Sequence, residues 1–243
     1  MKNWIVLLII FLGSCLSQRV GDTETIEINT NSGGKGTKFM LEFVKGPVHN
    51  HPSLALWAED LEGNYIETLY VTQYVATGRY AFGEIAPGKW SNQPGEARRP
   101  ATLPYWAHKR GVKAPDGLFI PSSKNPLPDA LTSATPKGNF KLISALSDMK
   151  SGKFRILLEI NQPWDSNKYW TNDKFPGDPN YFGSLQPSLV YAATIDPANM
   201  EEPVFLNPIG HGHPSGATGQ LFTDLTTLTT AKEIIHSVKI LLK

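Results

Sequence analysis

Two short histidine segments of the chain share one pattern. The segments are "HNHPS", with His49 and His51, and "HGHPS", with His211 and His213. Residues two apart in an extended backbone point to one side, so each pair could offer two imidazoles to a metal ion. Two such pairs brought together would form a four-nitrogen metal site. The alternative is that Gly and Pro mark turns, and that the histidines only hydrogen-bond within these loops.

The segment "DALTSAT" suggests a different chemistry. It resembles the attachment sequence of covalent FMN-binding domains, which implies an ester between the flavin phosphate and Thr135, with Asp129 in the family's acidic position. Ser133 stands where that family has glycine, whose backbone freedom a tight loop would need. A second core, "SGAT", has Gly212 in place of the acid. The alternative reading is that "ATPKG" forms a turn before a strand.

A long loop at 161–183 mixes aromatic rings with amides and carboxylates. Aromatic faces beside such polar groups are suited to sugars, because a pyranose presents both an apolar face and hydroxyls. The residues predicted to bind a ligand are Trp164, Tyr169, Trp170, Asp165 and Asp173. The alternative is that the aromatic residues only anchor the loop on the body of the domain.

Motifs for hydrolysis and for phosphate binding are missing from the sequence. It has no Gly-x-Ser-x-Gly, no His-Glu-x-x-His and no glycine-rich loop that opens a helix. We therefore expect a binding or accessory module without catalysis of its own. Two alternatives remain open, a flavin-linked electron-transfer protein and a glycan-binding module.

The N-terminal segment "MKNWIVLLIIFLGSCLSQ" has the form of a secretory signal, with Lys2 ahead of a short apolar run. Its end resembles the lipobox of bacterial lipoproteins, which implies that Cys15 is lipidated. The alternative is an ordinary signal that is cleaved near Ser17. We expect a signal peptide and lipobox at 1–15, a short tether at 16–22, and a location in the periplasm or at the cell surface.

Charge and cysteine content restrict the partners. Cys15 is the only cysteine, so the exported domain can form no internal disulfide. Removal of Lys2 with the leader leaves 22 basic residues (23 minus 1) against 22 acidic ones, a net charge of zero. This balance argues against nucleic acid as a partner. The expected partners are the membrane, through the lipid anchor, and an envelope protein or a glycan.

Period-two segments rich in β-branched and aromatic residues recur along the chain and predict strands. They lie at 24–29, 37–45, 53–60, 65–72, 139–145, 153–161, 188–195 and 233–242. Only Ala101 to Arg110 is predicted to be helical. The pattern predicts a single all-β domain at 23–243, an antiparallel sandwich with two long loop insertions at about 82–137 and 162–187.

The segment "LALWAEDLEGNYIETLYV" resembles the central hairpin of a family of uncharacterised predicted periplasmic proteins. "PDALTSATPKGNFKL" and "QPSLVYAATID" are similar to later blocks of that family. The resemblance implies an Ig-like sandwich like that of flagellar hook-cap proteins. It implies no activity, since one fold carries many functions.

Overall fold

The structure is a β-sandwich, as predicted. The computed structural model describes residues 25–148 and 152–243. The predicted signal peptide and lipobox at 1–15, with Cys15, and the tether at 16–22 lie outside the described residues. Within the described ranges, no helix has the length and apolar character that a membrane crossing requires.

The described residues contain fifteen strands and two short α-helices. The strands are β1 (Ile26–Asn29), β2 (Lys38–Lys45), β3 (Ser53–Glu59), β4 (Tyr65–Thr72), β5 (Arg79–Tyr80), β6 (Glu84–Ala86), β7 (Lys89–Trp90), β8 (Gly95–Glu96), β9 (Thr132–Ser133), β10 (Phe140–Ala145), β11 (Phe154–Asn161), β12 (Leu189–Ile195), β13 (Val204–Phe205), β14 (Asn207–His211) and β15 (Ile235–Leu242). The helices are α1 (Gln73–Thr77) and α2 (Pro104–Arg110).

Two large sheets form the sandwich. The five-stranded sheet has the order β1-β10-β2-β15-β13, and the six-stranded sheet has the order β14-β12-β11-β3-β4-β9. Most neighbours are antiparallel, as expected, but β1 runs parallel to β10 and β9 runs parallel to β4. Both parallel strands lie at the edge of a sheet, so the sheets are mixed where an antiparallel sandwich was predicted.

The two large sheets differ in how they are buried. In β2 every second side chain is buried, including Phe39, Leu41 and Phe43, so one face meets the core and the other faces solvent. In β3 every residue is buried. Leu54 and Leu56 face the five-stranded sheet, whereas the alternate residues pack on the opposite face. The six-stranded sheet is therefore covered on both sides.

Residues 73–127 form the layer that covers the outer face of the six-stranded sheet, and we call them the cover layer. Trp57 on that face packs in one apolar cluster with Val75 of α1 and with Leu103 and Trp106 at α2. Most of the first predicted long loop is thus part of this layer and contains short strands and α2. Helix α2 begins at Pro104, which needs no N–H partner at the first position of a helix.

A buried carboxylate of the six-stranded sheet caps α2. Leu103, which precedes the helix, provides no side-chain cap. Glu159 of β11 instead accepts hydrogen bonds from the backbone N–H groups of Tyr105 (3.2 Å) and Trp106 (2.7 Å). Its Oε1 also accepts the hydroxyl of Ser188 at 2.5 Å. The free N–H groups at the start of the helix are therefore satisfied by the sheet beneath it.

Candidate functional site

Strand pairing brings four separate segments to one end of the six-stranded sheet. Strand β3 is antiparallel to β4 and β11, so the start of β3 lies beside the ends of both neighbours. The parallel strand β9 ends at the same edge as β4. Residues 50–53, 73–74, 134–137 and 162–165 therefore converge there.

These segments and part of the cover layer enclose a cavity of about 1060 Å³, which we call the end cavity. Two hydrogen bonds tie its walls together, one from Asn50 N–H to Gln162 Oε1 (2.8 Å) and one from the Tyr74 hydroxyl to the His51 carbonyl (3.2 Å). The lining includes Asn50, His51, Gln73, Tyr74, Tyr80, Phe82, Arg99, Thr135, Lys137, Gln162, Trp164 and Asp165. A space of this size with aromatic and polar walls is typical of a small-molecule site.

Aromatic rings form one side of the end cavity. Trp164 and Phe82 are 40% and 44% exposed, which leaves much of both rings accessible. Their ring centroids lie 5.7 Å apart in an edge-to-face arrangement, and Trp90 lies 6.5 Å from Trp164. The indole of Trp164 is therefore held by ring contacts while it remains open to a ligand.

Two residues of the end cavity have the left-handed backbone conformation that favours glycine. Trp164 has φ 56° and His51 has φ 49°, and the described residues contain only two other non-glycine cases, Asn31 and Leu185. Leu185 forms a β-bridge with Asp165, the next residue along the cavity wall. Such strained positions cluster at ligand sites in proteins.

Arg99 is the most unusual polar residue of the end cavity. The whole residue is 8% exposed, and its guanidinium carbon lies 4.2 Å from the ring centroid of Tyr80 and 4.5 Å from that of Trp90. Burial lowers the pKa of Arg99. One hydrogen bond, from Nη2 to the Phe82 carbonyl (2.9 Å), holds the guanidinium, and Nε is enclosed without a partner. Within 25–148 and 152–243 it forms no ion pair.

Asp165 is the one carboxylate on the described cavity wall. Its Oδ1 accepts the Thr230 hydroxyl at 2.5 Å, and its Oδ2 is enclosed without a partner. Burial raises the pKa of Asp165 above that of an exposed aspartate. Both oxygens are therefore engaged or enclosed, so neither is free to accept a further hydrogen bond from a ligand.

The structure does not form the four-histidine metal site. No three His, Cys, Asp or Glu side chains in the described ranges lie close enough to share a metal ion. The positive φ of His51 removes the extended geometry on which the predicted pairing depended, and His49 Nε2 donates to the Pro136 carbonyl (3.0 Å). His211 Nδ1 donates to the Gly212 carbonyl (2.8 Å), and His213 Nδ1 accepts the Ser215 N–H (3.2 Å).

The second histidine segment is a packing loop on the cover layer. A Cβ on Gly212 would lie 2.6 Å from both Pro104 Cγ and Ser188 Oγ, beside the Glu159 carboxylate. Gly216 has φ 74° and lies against the Pro100 carbonyl. The glycine of "HGHPS" is therefore required by close packing, which explains why this segment differs from "HNHPS".

Thr135, the predicted flavin anchor, lines the end cavity, but its hydroxyl is enclosed and has no hydrogen bond of normal geometry. Ser133, in the glycine position of the flavin motif, lies in β9 without a positive φ. Asp129 begins a short 3₁₀ turn before that strand. The extended strand and the enclosed hydroxyl do not fit the tight attachment loop. Flavin on Thr135 stays a prediction, which the mass of the Thr135 peptide would test.

The predicted aromatic loop divides into two parts. Trp164 and Asp165 lie on the wall of the end cavity. Trp170 is 6% exposed and packs in the core between the sheets, where its Nε1 donates to Thr227 Oγ1 (3.2 Å). Tyr169 is exposed beneath the Lys174 ammonium, and Asp173 is fully exposed, both outside the cavity lining. Trp170 is thus an anchor of the loop.

The sequence interpretation missed Arg99, Tyr74 and Tyr80 of the end cavity. Tyr74 lies in α1, directly after β4, and Tyr80 lies in β5, after α1, so aromatic residues that follow a buried strand were the available signal. Arg99 follows Arg98 in "ARRP", and the neighbour forms an ordinary ion pair with Asp116. The local sequence pattern does not show which of two adjacent arginines forms a surface ion pair and which is buried. The burial of Arg99 depends on aromatic rings elsewhere in the sequence.

Comparisons of the chain with protein-family models, with curated proteins and with solved structures give no match. The function is therefore argued from the end cavity and its residues.

Proposed function

We propose that this protein is an exported binding module without catalysis of its own, and that it takes a glycan into the end cavity. The observation that carries the proposal is Trp164, which a left-handed backbone conformation places, 40% exposed, on the wall of a cavity of about 1060 Å³. An exposed indole face can stack on the apolar face of a pyranose.

The other groups on the cavity wall support this ligand class. Asn50, Gln73 and Gln162 provide amides for sugar hydroxyls beside the aromatic face. Glycoside hydrolysis ordinarily uses two carboxyl groups across the scissile bond. The described wall has one, Asp165, with one oxygen bonded to Thr230 and the other enclosed. This favours binding over hydrolysis.

The Trp164→Ala variant should bind glycan roughly fivefold or more weakly, because stacking on one aromatic ring contributes about 1 kcal/mol or more. The measurement is a glycan array with the exported domain, followed by titration of the strongest glycan. Tyr169→Ala is the matched control, since Tyr169 is an exposed aromatic residue of the same loop outside the cavity lining. Equal losses in both variants, or no binding across the array, would overturn the proposal.

We also propose that a lipid on Cys15 holds the domain at the membrane, on the basis of the lipobox-like "LGSC". Several acyl chains would anchor it firmly, whereas one would bind weakly. Labelled palmitate should be incorporated into the protein in bacteria and should be absent from Cys15→Ala. Equal labelling of the wild-type protein and Cys15→Ala, or no labelling of either, would contradict a lipid anchor on Cys15.

A further inference from the structure

We propose that the end cavity selects an acidic saccharide and binds its carboxylate through Arg99. This inference rests on the proposed glycan function and names the class of glycan. It depends on three features of the described residues: the unused donors of a buried guanidinium, the cage that fixes its plane, and the excess of positive charge on the cavity wall.

The donors of Arg99 are largely unused by the protein. A guanidinium has five N–H groups that donate hydrogen bonds, and it accepts no hydrogen bond. One of the five is donated to the Phe82 carbonyl, and Nε has no partner. A residue that is 8% exposed pays a desolvation cost for such a charge unless an anion or acceptors compensate it. A ligand carboxylate in the cavity that Arg99 lines would supply this compensation.

The aromatic cage preorganises Arg99. Its guanidinium carbon lies 4.2 Å from the Tyr80 centroid, 4.5 Å from the Trp90 centroid and 5.5 Å from the Trp164 centroid. These contacts restrict the long side chain, so little conformational entropy remains to be lost on binding. The same Trp164 ring faces the cavity, so a sugar stacked on it would lie close to Arg99.

The charges on the cavity wall also favour an anion. The wall has three cations, Arg79, Arg99 and Lys137. Arg79 forms an ion pair with Glu96 at 3.7 Å. Asp165 is the one acid on the described wall, so the three cations outnumber it. Arg99 is the buried cation of the three. The charge of Glu84 acts on it, but the Glu84 oxygens accept the N–H groups of Gly88 and Arg98, so the guanidinium has no acidic contact among the described residues. A planar carboxylate also matches the fork of a guanidinium.

The test compares glucuronate with glucuronamide, which differ in charge and share the sugar ring. Isothermal titration of the exported domain should show that the acid binds roughly tenfold to a hundredfold more tightly, as expected for hydrogen bonds to a charged group. Arg99→Gln should remove this preference and leave the binding of the amide. Lys137→Gln removes one charge at an exposed position of the wall and should retain most of the preference.

Equal affinities of the wild-type protein for the two sugars would overturn the inference while the glycan function stands. So would a preference that persists in Arg99→Gln. Binding of no saccharide at all would overturn the proposed function itself. Where Arg99→Gln fails to fold, the wild-type comparison of acid and amide still decides whether the end cavity selects an acidic saccharide.

Discussion

A Glu159→Ala variant should unfold with a free energy about 3 kcal/mol lower than that of the wild-type protein, although Glu159 lies outside the end cavity. The carboxylate accepts the N–H groups of Tyr105 and Trp106 and the hydroxyl of Ser188. Its removal leaves these three buried donors without a partner. The measurement is equilibrium unfolding in urea, followed by circular dichroism.

Glu159→Gln is the control for this prediction, because its amide preserves the shape and one acceptor oxygen. It should lose about half as much stability as Glu159→Ala. Equal stability of Glu159→Ala and the wild-type protein would show that α2 does not depend on the sheet for its cap. The account of how the cover layer is attached would then be wrong.

The stability of the wild-type protein should also depend on pH through Glu159. Desolvation by burial raises the pKa of Glu159 from 4.5 to about 7. The folded state therefore favours the protonated acid. The contribution of Glu159 to the free energy of unfolding is complete below pH 4.5 and is lost as the pH rises through 7. Glu159→Gln has no such group, and it should lack this decline.

The wild-type protein must be compared with Glu159→Gln because three histidines change the free energy of unfolding with pH in the opposite direction. Burial lowers the pKa values of His49, His211 and His213. Their contribution to the free energy of unfolding is therefore present above pH 6.5 and is lost as the pH falls. The histidines are common to both proteins and cancel in the difference. A difference in unfolding free energy that stays constant between pH 4.5 and 8 would contradict the prediction.

Gly216→Ala should lower the free energy of unfolding by roughly 2 to 4 kcal/mol. Gly216 has φ 74°, which strains any residue with a side chain, and a Cβ there would lie 2.2 Å from the Pro100 carbonyl oxygen. Backbone on both sides of the contact leaves no flexible group to move aside. Thermal unfolding of the variant should show the loss directly.

Gly138→Ala is the matched control for this second prediction. Gly138 has open space around its Cβ position and no left-handed φ. Its replacement should leave stability nearly unchanged or raise it slightly, because alanine restricts the unfolded chain. Similar losses in the two variants would show that the loop after His213 is not packed as described.

The strands of the sandwich were predictable because their side chains follow a period of two. The β3 segment "SLALWAE" and the β11 segment "FRILLEIN" were predicted as strands, but their near-continuous apolar character also indicated burial on both faces. That second signal predicts a cover layer, which was missed. Strand β14 was missed too, since Pro208 and Gly210 interrupt its pattern.

The end cavity could be predicted only in part. His51, Thr135, Trp164 and Asp165 were singled out from three unrelated motifs, and the structure places all four on the lining of the end cavity. Their meeting depends on the register of β3 between β4 and β11, which no local pattern specifies. Long-range pairing likewise decides where the two histidine segments lie, and among the described residues they do not form the four-histidine group.

The indole N–H signals of the tryptophans test the central claim most directly. The sequence has six tryptophans, of which Trp4 lies in the predicted leader. In a ¹H–¹⁵N spectrum of the protein without the predicted leader, glucuronate at high millimolar concentration should shift the signal of Trp164, while those of the buried Trp57 and Trp106 stay in place. A stationary Trp164 signal, with glucuronate and with neutral sugars alike, would contradict the end cavity as the ligand site.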